Sequence, residues 1–175
     1  PEWKLSGRDS KAYDWASANH DHEDLRMAVY AAMIDCMDQN IGRLMASLKK
    51  SGEADNTLVL FLSDNGGCAE EPGGRSPKII PGPKEFYAAV GPSWGWAQNA
   101  PFRRYKSWAH EGGIATPCIA WWPGQVPEGK ITQEVGHIID FMPTFLALAG
   151  GQYRKNHKGE KILPVEGKSL VAVLK

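Results

Sequence analysis

TLVLFLSDNGGCAEE, residues 57–71, is an apolar run that stops on an acid, an amide and two glycines. From Thr57 to Leu62 the run is continuous rather than alternating, the pattern of a strand covered on both faces. Consecutive strand side chains point to opposite faces, so Asp64 and Asn65 can share a ligand only where the backbone turns. Gly66 and Gly67 would allow that turn by accepting positive φ. In open α/β sheets, ligands gather outside the carboxyl ends of strands, where this pair would sit. A carboxylate and an amide carbonyl are hard oxygen donors, suited to Ca²⁺ or Mg²⁺ and poorly suited to copper or zinc. Asp-Asn-Gly is also turn chemistry in its own right. Two ligands cannot fill a calcium shell of roughly six to eight oxygens, so further donors would have to come from elsewhere.

Upstream of this run, Glu23 to Lys50 reads as a helix. Tyr30, Met33, Ile34, Met37, Ile41, Leu44, Met45 and Leu48 recur at three- and four-residue steps as one apolar stripe. Asp21, Glu23 and Asp24 suit the positive end of such a helix, while Lys49, Lys50 and Gly52 are stop signals. The segment His20-Asp21-His22-Glu23-Asp24 has metal-ligand composition, but its position favours helix capping. Helix, short turn and buried strand together give the α/β rhythm. Downstream, Cys68 to Ala100 is a long Gly- and Pro-rich loop carrying Trp94 and Trp96, which either line a cleft or pack under the loop. Ile114 to Trp122 is a second strand, demoted towards an edge or bulge by Pro117. Val135 to Ile139 suggests a short strand, and Met142 to Ala149 a helix closed by Gly150 and Gly151. The tail is polar until a final apolar LVAVL.

At 175 residues the chain has room for one domain with a core. Twenty basic and twenty acidic side chains cancel, so no net field steers it to nucleic acid or an anionic membrane. No apolar run reaches a membrane span, and PEWKLSGRDSKAYDW has no secretory h-region. The missing initiator Met suggests a fragment. Cys36, Cys68 and Cys118 are sparse and odd in number, which argues against a disulfide framework and for buried free thiols.

A second constellation is PFRRYKSWAHEGGIATP, residues 101–117. Arg103, Arg104 and Lys106 could gather an anion, with the lysine as a point charge on a sulfate or phosphate oxygen. His110 could exchange protons near neutral pH. Glu111 could hold the loop by accepting backbone or lysine hydrogen bonds, and Gly112-Gly113 permit close backbone approach. A basic loop of this kind is also ordinary solvated surface. Gly167-Lys168-Ser169 resembles the end of a P-loop, but Ile162 stands where the required glycine should be. His137, inside the apolar VGHIID, reads as a satisfied core histidine.

Joined in order, NTLVLFLSDNGG, the long loop, PFRRYKSWAHEGGIATPCIAWWPG and GHIIDFMPTFLALAG resemble the C-terminal part of the catalytic domain of type I sulfatases, in the alkaline-phosphatase-like superfamily. The resemblance runs from about Arg26 to Leu170; MAVYAAMIDCMDQNIGRL and VEGKSL share in it. Its most specific pieces are Asp-Asn-Gly after a buried strand and a lysine five residues before Glu-Gly-Gly. It implies an α/β fold, part of a mixed sheet flanked by helices and truncated at its N-terminal side. Residues 1–150 would belong to the catalytic domain and 151–175 to the start of a C-terminal subdomain.

By the same resemblance, Asp64 and Asn65 would bind the metal, usually Ca²⁺ with Mg²⁺ as the alternative. Lys106 would contact the sulfate group, and His110, where many relatives carry an aromatic residue, would touch the substrate near the leaving group. The family's nucleophile is a formylglycine made from Cys or Ser in C/S-x-P-x-R. Cys68, opening CAEEPGGR, has the wrong spacing, and Cys36 and Cys118 do not fit, so the nucleophile is expected outside this chain. The 175 residues alone are then expected to bind Ca²⁺ weakly and to hydrolyse nothing. A truncated sheet would expose an edge, with a dimer through that edge as one way to cover it. The substrate implied is a sulfate ester, aryl or glycan, in a periplasmic or secreted protein without nucleic-acid or membrane partners. The rivals are a phosphodiesterase or phosphonate hydrolase of the same superfamily and a non-catalytic binding domain that kept the fold.

Overall fold

A computed structural model describes residues 17–71, 76 and 78–175. The opening segment, residues 1–16, and residues 72–75 and 77 of the long loop lie outside them. The chain divides into two compact units. The first comprises Pro1–Ser47 with Leu62–Pro117, and the second Leu48–Phe61 with Cys118–Lys175.

Helix α1, His20–Ser51, forms where the apolar stripe predicts it. Its cap is Asn19, whose side-chain oxygen accepts the His22 amide at 3.2 Å. Asp21 and Glu23 occupy the first turn and Lys49 and Lys50 the last, as the helix dipole favours. HDHED is thus a helix start. Much of the stripe is bare, Met33 being 65% exposed and Leu44 57%.

Strand β1 spans Val59–Leu62 and pairs with β2, Cys118–Trp121, in a two-stranded sheet. Both are shorter than the runs Thr57–Leu62 and Ile114–Trp122. Pro117 lacks an amide donor, and Glu111–Ile114 closes instead into a single helical turn, α3. The covered central strand expected from the apolar run is not what the described residues build. Phe61 is 43% exposed, because periodicity reports what a strand can bury and not whether a cover is present.

The long loop is not structureless either. Gly91–Gln98 form helix α2, opened by Pro92 at its start. Trp94 donates its indole N–H to the Glu23 carbonyl at 3.0 Å, and Trp96 meets Tyr105 edge-to-face at 6.5 Å, so both pack within the first unit.

In the second unit, 135–139 is not a strand. Ile138–Asp140 is a 3-10 turn leading into α4, Phe141–Ala149. His137 is an exposed cap rather than a core histidine: its Nδ1 accepts the Ile139 amide, and Asp140 accepts the His137 amide in return. Gly150, at φ 62°, closes α4 in the left-handed conformation. Asp140 also takes the Lys168 amide at 2.7 Å, and this bond, followed by that from His137, holds its carboxyl below the usual range. GKS therefore serves as a docking segment for the tail, leading into α5, Val171–Leu174. The hairpin β3–β4, Asn156–His157 with Glu160–Lys161, escaped the sequence reading. Lys158-Gly159 was its signal, both residues having positive φ as a two-residue type I′ turn requires.

The thiols are free but not buried as expected: Cys36 and Cys118 are exposed and Cys68 is half-buried. Among the described residues no helix is long and apolar enough to cross a membrane.

Candidate active site

Beyond β1 the chain turns through Ser63–Gly67, all within the first unit. The Ser63 hydroxyl donates to the Asn65 carbonyl at 2.9 Å, and the Ser63 amide reaches Thr116 Oγ1 at 3.3 Å. Gly66 and Gly67 are absent from the positive-φ glycines, so they do not serve the turn by left-handed backbone. They serve close approach. A Cβ on Gly66 would collide with the Gly112 carbonyl, and the Gly66 amide donates to the Gly113 carbonyl at 3.0 Å. The Gly67 carbonyl accepts the Lys106 amide at 3.0 Å. DNGG and the loop carrying Lys106 are therefore laced together through their backbones.

That loop folds back through two left-handed residues, Arg104 at φ 69° and Ser107 at φ 78°. Gly112 and Gly113 are buried where a Cβ would strike the carbonyls of Arg103 and Arg104, and of Tyr105 and Trp108, respectively. Arg104 is itself buried, its guanidinium 3.8 Å from the centre of the Trp108 ring. It packs within the loop. His110 precedes α3, and its ring lies edge-to-face with Trp108 at 6.2 Å.

Asp64 makes no hydrogen bond or ion pair among the described residues, and Asn65 commits only its Nδ2, to the Gly66 carbonyl at 3.1 Å. The Asp64 carboxylate and Asn65 Oδ1 thus retain their lone pairs, which is what a hard cation requires. Two such donors would make at most a partial shell, and among the described residues no group of three or more His, Cys, Asp or Glu could hold a metal.

Lys106 is paired, but not with Glu111. Its ammonium meets Glu70 Oε2 at 3.0 Å. The hydrogen bond from Lys106 and then that from the Cys68 thiol push the Glu70 carboxyl down, and the bond to Glu70 pushes Lys106 up. The Asp64 charge adds a smaller upward push on Lys106. The pair's contribution to stability is therefore present between the two ordinary ranges. It is lost as pH falls through the lowered Glu70 value and as pH rises through the raised Lys106 value.

Two residues of the site were missed from the sequence, Glu70 and Asn99. Asn99, which ends α2, accepts the Gly67 amide on Oδ1 at 2.8 Å and donates Nδ2 to the Gly95 carbonyl at 2.6 Å. An amide offers an acceptor and a donor on two separate atoms of one side chain, as the Gly67 amide and Gly95 carbonyl here require. Asn99→Ala is expected to leave both groups unpartnered and to lower stability by about 2 kcal/mol. Urea unfolding checks this, and an unchanged midpoint would remove Asn99 from the brace.

An α/β chain whose strand ends in uncommitted hard oxygens, braced to a loop that carries a lysine, offers both charges that an oxyanion and its cation need. The chain belongs to the Sulfatase family, whose model matches residues 5–151. It is 36% identical over 161 residues to an arylsulfatase of Klebsiella aerogenes, covering 84% of this chain and 34% of that protein. It is 35% identical over 121 residues to the human N-acetylgalactosamine-6-sulfatase, covering 69% of this chain and 19% of that protein. Among solved structures it resembles Ps i-CgsB in complex with k-i-k-neocarrahexaose, with a TM-score of 0.61 at 27% identity over 97% of this chain and 30% of that one. It also resembles BT4656 in complex with D-glucosamine-2-N,6-O-disulfate, with a TM-score of 0.54 at 26% identity over 83% of this chain and 22% of that one. The chain thus spans about a third or less of the length of these relatives.

Proposed function

We propose that this chain supplies the cation- and oxyanion-binding part of an enzyme that hydrolyses sulfate esters. The observation that supports the reading is the pair of backbone bonds, Gly66 to Gly113 and Lys106 to Gly67, that ties the turn carrying Asp64 and Asn65 to the loop carrying Lys106. Asp64 and Asn65 Oδ1 would hold Ca²⁺, with Mg²⁺ as the alternative. Bound there, the ion would supply positive charge to offset charge on the sulfuryl oxygens. Lys106 does the same from its own side, its ammonium donating to a non-bridging oxygen. His110, on the same loop, is assigned to contact with the substrate near the leaving group.

The formylglycine nucleophile is assigned to residues outside this chain, because no C/S-x-P-x-R stands in it, and the 175 residues alone are expected to hydrolyse no sulfate ester. Family membership and the names of the relatives support a sulfated saccharide or an aryl sulfate as substrate, and a periplasmic or secreted setting is part of the same reading. In the protein that carries this chain, Asp64→Ala is expected to weaken Ca²⁺ binding at least about tenfold, since it removes the charged ligand. Lys106→Met is expected to weaken binding of inorganic sulfate about tenfold while leaving Ca²⁺ affinity nearly unchanged. Calorimetric titration with each ion reads both, and a Lys106→Met protein with undiminished sulfate affinity would sink the assignment.

A further inference from the structure

We propose that Glu70 is the positioning residue of Lys106: its carboxylate, 3.0 Å from the ammonium, holds the lysine side chain in place for the incoming oxyanion. The inference rests on the proposed function, because it takes Lys106 to be an oxyanion ligand. Lysine is a flexible four-carbon stem carrying a rotatable point charge, and a free one would not keep its ammonium at a fixed place. Here it is tethered twice. Its backbone amide is held by the Gly67 carbonyl at 3.0 Å, and its tip by Glu70 Oε2.

Glu70 is in turn steadied from its own side. The Ser107 hydroxyl donates to Oε1 and the Cys68 thiol to Oε2, each at 3.5 Å. An ammonium has three N–H donors, so a bond to Glu70 leaves two for an anion. The side chains of Glu70 and Lys106 are 56% and 36% exposed, which leaves the ammonium open to a ligand from solvent. Of the carboxylates acting on Lys106, Glu70 and Asp64, Glu70 is the one in hydrogen-bond contact.

The test is amine acylation of the protein that carries this chain at pH 8, with Lys106 labelling measured by peptide mass spectrometry against exposed Lys130. Glu70→Ala is expected to raise Lys106 labelling several-fold. Glu70→Gln, whose amide oxygen still accepts from the ammonium, is expected to raise it less. For an aryl sulfate, kcat/KM is expected to fall about tenfold in Glu70→Ala and less in Glu70→Gln, the scale seen when an outer partner of a site ligand is removed. Unchanged Lys106 labelling in both variants, or changed labelling with unchanged kcat/KM, overturns the proposal. Inorganic sulfate should shield Lys106 from acylation in the unsubstituted protein. If it does not while the labelling changes persist, the oxyanion reading fails and the Glu70–Lys106 tether survives without its assigned purpose.

Discussion

Gly112→Ala is expected to dismantle the site and cost about 3 kcal/mol or more, the upper end for adding a methyl group to a packed position. A Cβ at Gly112 would run into the carbonyls of both Arg103 and Arg104. These are backbone atoms, and neither can rotate aside as a side chain would. The Gly112 amide donates to that same Arg103 carbonyl at 3.0 Å, and the Gly112 carbonyl lies against Gly66. Relief of the collision must therefore move either the Lys106 loop or the DNGG turn. Circular dichroism and urea unfolding read the stability. The sharper readout is Ca²⁺ and sulfate binding, which should fall together. Wild-type stability with both affinities intact would show that the backbone lacing does not hold the site.

Arg26→Met is the second large effect, expected to cost about 3 kcal/mol, as removal of one partner from a buried ion pair does. Arg26 is 4% exposed, and its Nη1 lies 2.8 Å from Glu71 Oε1 and 4.0 Å from Glu23 Oε1. Methionine keeps most of the apolar stem and deletes the charge, so the loss reports the ion pair more than packing. Gly91, at φ 79°, sits against the same pair, since a Cβ there would meet Glu71 Oε1 and Arg26 Nη1. The contact ties the start of α1 to the segment just after DNGG. Replacing both partners, Arg26→Met with Glu71→Leu, should recover part of the loss, because the Glu71 carboxylate is then not left facing a neutral side chain, while Glu23 still loses its more distant contact at 4.0 Å. A double-mutant cycle with no coupling between the two positions would contradict this account.

The elements that were legible in the sequence are those with local signals. Helix α1 was visible in its stripe and its terminal charges, α4 in its apolar run and the glycines that close it, and β1 in its unbroken apolar residues. The misreadings arose where a local pattern has two physical outcomes. VGHIID has strand composition, yet His137 and Asp140 cap each other and start a helix. Arg104 has the composition of an anion ligand, yet it is stacked on Trp108. Gly66 and Gly67 of DNGG make no turn by positive φ; they are instead places where another chain segment comes close.

Residues 57–71 and 101–117 by themselves determined which side chains could do chemistry, because donor type and charge belong to a residue wherever it lies. What only the tertiary structure decided is which of those side chains meet. Glu70 reaches Lys106 across 36 positions, Asn99 reaches Gly67 across 32, and Glu71 reaches Arg26 across 45. Contacts of that span leave no periodicity or spacing to read. Glycines at 66, 112 and 113 let the DNGG turn and the Lys106 loop approach within hydrogen-bond range, and Gly91 leaves room beside the Arg26–Glu71 pair, and such approaches are a property of the folded chain.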